Sequence, residues 1–227
     1  MRPILFQVGS LNFYSYGFFT AMGFLAAGFV IDYIAKQRGL LSRKSPPYFL
    51  TDTLLFALVI ALISARLAYI IIYSLILRTE PLEIATQLLG GGFIFYAGLA
   101  AGLAALWWWL RRQKHPAPFG AWLDVSIIGL FAGLAVSEIG GYLNDGQVVH
   151  LAGLIGTSAL AILNYVFLST TKQPGRVFRY ALFLLFLLFF FLGFWRTEKI
   201  IWYGFNFGQW VSLIGMISVA TTFRAQK

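Results

Sequence analysis

Arg66 and Glu138 stand inside long apolar stretches of this 227-residue chain. A charge at membrane depth costs roughly 2.5–3.5 kcal/mol on insertion scales, so each needs a partner or a task. Two readings are open. In one, both face a polar cavity and handle a charged headgroup. In the other, they form a buried Arg–Glu pair that locks two helices together. A second group joins Asn206, Gly208 and Gln209, with Arg196 just before it. Its amides can bond phosphate, glycerol hydroxyls or a peptide backbone, and they can equally cap a helix or join helices. A third feature is glycine: Gly90, Gly91, Gly92 and Gly98 in one run, and Gly140, Gly141 and Gly146 around Asn144 and Asp145 in another. Such runs let backbones pack closely or line a headgroup pocket. Asp32, Asp52 and Asp124, near the ends of apolar stretches, read as caps or partners for adjacent basic loops.

The elements that must position these residues follow from composition. The chain is 59% hydrophobic and 11% charged, whereas a soluble domain carries about 25% charged residues. Bilayer is the natural solvent, and lipid forces each spanning segment to be a helix. With no cysteine there is no disulfide, thiolate nucleophile or Cys-based metal site, and two histidines are too few for a His cluster. No metal or cofactor is expected.

We expect an all-α integral membrane protein of about seven spans, forming a single polytopic domain over residues 1–227. The spans run about 14–35, 49–77, 89–110, 121–143, 151–168, 180–195 and 205–223. Loop charge alternates along them. Lys36, Arg38, Arg43, Lys44, Arg111, Arg112, Lys114, Lys172, Arg176, Arg179, Arg224 and Lys227 fall on one side; Arg2, Arg78, Arg196 and Lys199 fall on the other. By the positive-inside rule the richer side is cytoplasmic, which places the N-terminus outside and the C-terminus inside. The net charge of +9 therefore belongs to cytoplasmic loops and does not call for nucleic acid. The first apolar stretch lacks a basic leader and a small-residue cleavage site, and reads as a retained span.

The ordered motifs resemble the bacterial prolipoprotein diacylglyceryl transferase family. Tyr14-Ser-Tyr-Gly17 is similar to its N-terminus, and Ser64-Ala-Arg-Leu-Ala-Tyr69 to its Gly-Ala-Arg-Leu-x-Tyr segment. Gly91-Gly-Phe-Ile-Phe-Tyr-Ala-Gly-Leu99 resembles its Gly-Gly-Leu-Ser-Phe-His-Gly-Gly-Leu. Ser137-Glu-Ile-Gly-Gly-Tyr-Leu-Asn-Asp-Gly146 sits where the family has Gly-Arg-Ile-Gly-Asn-Phe-Ile-Asn-Gly-Glu, and Gly208-Gln-Trp-Val-Ser212 resembles its Gly-Gln-x-x-Ser. The resemblance implies transfer of the diacylglyceryl group of phosphatidylglycerol, or another anionic phospholipid, to the lipobox cysteine of a prolipoprotein signal peptide. It places the reaction at the outer face of the bacterial cytoplasmic membrane. A thioether forms and glycerol phosphate leaves. The nucleophile comes from the substrate, so the chain needs no cysteine of its own.

By this resemblance Tyr96 and Glu138 occupy catalytic motif positions, both substituted: the family has histidine at the first and arginine at the second. Tyr16, Arg66, Gly98, Gly140, Asn144, Asp145, Arg196 and Gln209 would hold substrate. A phenol with a pKa near 10 is a poor base at neutral pH. A glutamate in place of an arginine reverses the sign at a phosphate site, a change of several kcal/mol at about 4 Å and an effective dielectric of about 20. The outer segment after the fourth span is short, and His150 reads as a remnant of a family His-Pro-Ser-Gln-Leu-Tyr-Glu motif. Besides the transferase, two alternatives stand: a catalytically inactive family member that binds lipid or lipoprotein, and a small-molecule transporter with discontinuous Gly-rich helices.

Overall fold

A computed structural model describes residues 3–9, 11–41, 48–77, 93–195 and 201–224. Arg196, the glycines at 90–92, Arg2, Arg43, Lys44, Arg78, Lys199 and Lys227 lie outside the described residues.

The described residues form seven helices and two short hairpins. We number them α1 (Ser15–Gln37), α2 (Phe49–Leu77), α3 (Phe95–Arg112), α4 (Phe119–Asp145), α5 (Val148–Thr170), α6 (Arg176–Leu192) and α7 (Phe207–Arg224). Each falls on an apolar stretch read from the sequence. Four are long and apolar enough to cross a membrane: α1, α2 over Phe49–Ile72, α4 and α5. At 1.5 Å per residue, the 17 residues of α6 reach about 25 Å, short of a hydrocarbon core about 30 Å thick.

The hairpins are additions that the sequence reading did not contain. Strands β1 (Ile4–Val8) and β2 (Leu11–Tyr14) pair antiparallel. The rings of Phe6 and Phe13 stack across the pair at 4.6 Å, and Ser15 N–H donates to Pro3 O at 2.9 Å, tying the hairpin to the start of α1. Strands β3 (Ile201–Trp202) and β4 (Phe205–Asn206) form a second pair just before α7.

The chain forms two compact units, Met1–Leu41 with Ala117–Lys227, and Ser42–Pro116. In the first, α4 is central and packs against α1, α5 and α6. Its Trp122, Val125, Ile127, Ile128 and Phe131 are at most 2% exposed. The α1–α4 seam is backbone on backbone: a Cβ on Gly133 would stand 2.7 Å from Gly23 O, and one on Gly23 would stand 2.5 Å from Gly133 O. Side chains there would push the helices apart, so small residues set the approach. The buried Asp124 carboxylate accepts the N–H groups of Gly175 and Phe178, each at 2.7 Å. It thereby caps α6 from a neighbouring helix, satisfying donors that a helix start leaves open.

The second unit is α2 against α3. Gly98 is the contact point: its Cβ would meet Ala61 O and Ala65 Cβ, both at 3.0 Å. One turn earlier, Ile94 N–H donates to Ala65 O at 3.1 Å. At the far end of α3, Arg111 and Arg112 lie over the rings of Trp107 and Trp108, a pairing of cation and aromatic that suits a membrane interface. Outward faces carry large apolar side chains, with Phe29, Leu55, Ile71, Ile155 and Ile217 all more than half exposed.

Candidate functional site

The most connected polar cluster lies where α4 turns into α5. Gly146 adopts φ 71° and ends α4 with its N–H on Tyr142 O at 2.8 Å, the left-handed cap that glycine allows without a Cβ penalty. Asp145 Oδ1 accepts Gln147 N–H at 2.9 Å, an Asx turn that reverses the chain within two residues. His150 in the first turn of α5 therefore swings back onto the last turns of α4. Its Nδ1 stands 2.6 Å from Glu138 Oε2, and its Nε2 stands 3.3 Å from Asp145 Oδ2. The side chains are graded in exposure: Glu138 10%, His150 16% and Asp145 34%.

Two glycines make room for this trio. A Cβ on Gly141 would strike the His150 ring, and one on Gly153 would stand 2.8 Å from the Glu138 carboxyl carbon. Helix α1 closes the other side. A Cβ on Gly140 would meet Phe19 and Ser15 O, while Ser137 and Thr20 share a hydroxyl hydrogen bond of 3.1 Å.

An imidazolium can donate to both carboxylates at once, whereas a neutral ring donates to one and leaves the other nitrogen bare. The cluster can therefore accept and release a proton, with one carboxylate as orienting group and one at the open side. It brings negative charge, not positive, to the position where the sequence resemblance places a phosphate ligand. Among the described residues, no group of three His, Asp or Glu side chains is arranged to hold a metal ion.

The structure brings Glu138, Gly140 and Asp145 into this corner, and adds His150. Asn144 is exposed in the last turn of α4. Tyr16, in the first turn of α1, is 53% exposed. Asn206 and Gln209 are spent on each other: Asn206 N–H donates to Gln209 Oε1 at 2.9 Å, and Gln209 N–H donates to Asn206 Oδ1 at 2.8 Å. Their amide nitrogens reach Gly193 O and Phe190 O in α6 and its end. This is a reciprocal capping box that staples α7 to α6. In the other unit, the Arg66 guanidinium sits 5.6 Å from the Tyr69 ring and 5.9 Å from the Phe93 ring. Tyr96 is half-buried in the first turn of α3, its ring edge-on to Phe95 at 5.6 Å. Asp32 pairs with Lys36 at 2.6 Å on an exposed helix face. At the opposite end of α4 from the His150 corner is a cavity of about 130 Å³, lined by Arg38, Asp124 and Lys172 among others.

His150 is the residue whose importance sequence reasoning understated. It is separated from Glu138 by twelve positions, a spacing with no helical or strand period. The usable signal was a polar trio, Glu138, Asp145 and His150, bracketing a Gly-containing turn between two apolar stretches.

A family model described as prolipoprotein diacylglyceryl transferase matches residues 3–224. Among curated proteins, the phosphatidylglycerol–prolipoprotein diacylglyceryl transferase of Geobacter sulfurreducens is 30% identical over 144 residues, 63% of this chain and 53% of that protein. The Lactobacillus acidophilus protein of the same name is 28% identical, with 64% and 49% covered. That of Zymomonas mobilis is 25% identical, with 78% and 72% covered. The chain spans about half the length of the first curated relatives it matches.

Proposed function

Because the chain belongs to the prolipoprotein diacylglyceryl transferase family, we propose that it transfers a diacylglyceryl group from phosphatidylglycerol to the cysteine thiol of a lipobox peptide. The observation that carries this reading is the extent of the family match, which runs through 3–224 and includes the Glu138–His150 corner. In the reaction, a C–S bond forms at the glyceryl carbon and the C–O bond to phosphate breaks. The electron pair leaves on the phosphate oxygen, giving glycerol phosphate.

Such a site must hold a reacting lipid and thiol in line and stabilise charge on the leaving phosphate. Arg66 and Arg196 are the cations we assign to phosphate, and the Tyr96 hydroxyl is a hydrogen-bond donor to it. Tyr16, Gly98, Gly140, Asn144 and Asp145 are assigned to the walls that shape substrate binding. Gln209 acts on that wall through the fold of α7. The protein would work as a multi-pass protein of the bacterial cytoplasmic membrane with seven spans, N-terminus outside and C-terminus inside. Loop charge and the four long apolar helices support this topology.

The test is conversion in liposomes of phosphatidylglycerol with a lipobox peptide, read by mass spectrometry. The expected product is the peptide thioether of diacylglycerol with release of glycerol phosphate. No product, under conditions where an ordinary family enzyme turns over, overturns the reading.

One observation favours the alternative of a lipid-binding member without turnover. The carboxylate at position 138, where the family motif has arginine, is engaged by His150 and offers no cation to a phosphate. Saturable binding of phosphatidylglycerol liposomes or lipobox peptide with no thioether would establish that alternative.

A further inference from the structure

We propose that His150 is the proton acceptor for the attacking thiol, held in place by Glu138 as a positioning residue. This rests on the transferase reading and names the group that completes it. The reaction consumes a thiol, and a thiol near its ordinary pKa of about 8.5 is mostly protonated at neutral pH. A base is therefore required. Tyr96 stands at the motif position for it, yet a phenol is already protonated at neutral pH and accepts poorly. The chain has two histidines. His115 follows the C-terminal end of α3 beside Arg111 and Arg112, stacked on Phe49 at 5.0 Å, in a basic loop of the kind that the positive-inside rule assigns to the cytoplasm.

His150 has the arrangement of an oriented base. Glu138, the more buried carboxylate, takes Nδ1–H at 2.6 Å and sets which nitrogen keeps its proton. Nε2 is left toward Asp145, at a longer 3.3 Å and on the more exposed side. The second oxygen of Asp145 is tied to Gln147 N–H, so the acid cannot follow the ring inward. An entering thiol replaces the weaker contact. Gly141 and Gly153 let the ring and Glu138 lie close against the backbones of α4 and α5, which brings the pair together in the arrangement that proton transfer requires. Among the described residues, the titratable groups hydrogen-bonded to the ring are Glu138 and Asp145, both from α4.

The step balances without a further reactant. The S–H proton passes to Nε2 as sulfur bonds to the glyceryl carbon. The C–O electron pair leaves on phosphate. The ring then returns its proton to the departing phosphate or to water.

The experiment measures transfer from phosphatidylglycerol to a lipobox peptide across pH 5–9 for wild type, His150→Gln, Glu138→Gln and His150→Gly with added imidazole. We expect His150→Gln to lose about 100-fold or more in kcat/KM and to lose the acidic limb of the pH profile. Glu138→Gln should retain that limb at a displaced pH, a readout that a purely structural role would not move. Imidazole should restore part of the His150→Gly rate. Active wild type with His150→Gln within threefold at every pH overturns this assignment alone. Inactive wild type beside an active family enzyme overturns both this and the transferase reading. Should His150→Gln fail to fold, an acidic limb unmoved in Glu138→Gln overturns the assignment.

Discussion

Nδ1 of His150 and Oε2 of Glu138 meet at 2.6 Å across the α4–α5 corner, and a Cβ on Gly153 would stand 2.8 Å from that same carboxyl group. The pair therefore exists only because two neighbouring positions lack a side chain. Gly153→Ala should push Glu138 off His150 and lower stability by about 1–3 kcal/mol, the usual range for overpacking. The melting temperature in detergent checks this. An unchanged value would show that the carboxylate has room to move.

Asp124 offers a second measurable contact. Its two oxygens hold Gly175 and Phe178 N–H groups at 2.7 Å each, with the residue 3% exposed. Asp124→Ala leaves both donors open and should cost about 1–2 kcal/mol, as loss of a helix cap does. Asp124→Asn keeps one acceptor oxygen and should cost less. Equal melting temperatures for the two variants would contradict the cap.

The Asn206–Gln209 box makes a distinct prediction for sites assigned from resemblance. Gln209→Ala removes the acceptor of Asn206 N–H and the donor to Phe190 O. It should destabilise by about 1 kcal/mol or more and lower transfer in proportion to folded protein. Transfer lost at full stability would instead mean that the amide reaches substrate directly.

His115 gives stability a pH dependence. Burial holds its imidazole below the usual histidine range, so the unfolded ring takes up a proton more readily than the folded one. The resulting stability is complete above the unfolded value, near 6.5, and is lost as pH falls through the lower folded value. Melting temperature should drop between pH 7 and pH 5. His115→Phe, which preserves a ring against Phe49, should remove that part of the drop. An identical pH dependence in the variant would rule out His115 as its source.

The sequence by itself determined where helices form and which of them are apolar. Within lipid, a backbone can satisfy its hydrogen bonds only inside the segment, so a long apolar run such as Phe49–Leu77 reads as a helix without knowledge of its neighbours. Asp124 was legible as a cap because caps act at helix ends, although its target across the bundle was not. The hairpins escaped because each pairs two short segments next to a helix, and strands of two to five residues leave little periodic signal beside long apolar runs. What only the tertiary structure decided is which polar groups meet. Glu138 and Arg66 look equivalent in sequence, each a lone charge in an apolar run. Glu138 meets His150 because a two-residue turn at Gly146 folds α5 back onto α4 and two glycines leave space for the ring. Within its own unit, Arg66 lies beside the rings of Tyr69 and Phe93. Contacts of that kind depend on the rotation and close approach of helices, which no local spacing encodes.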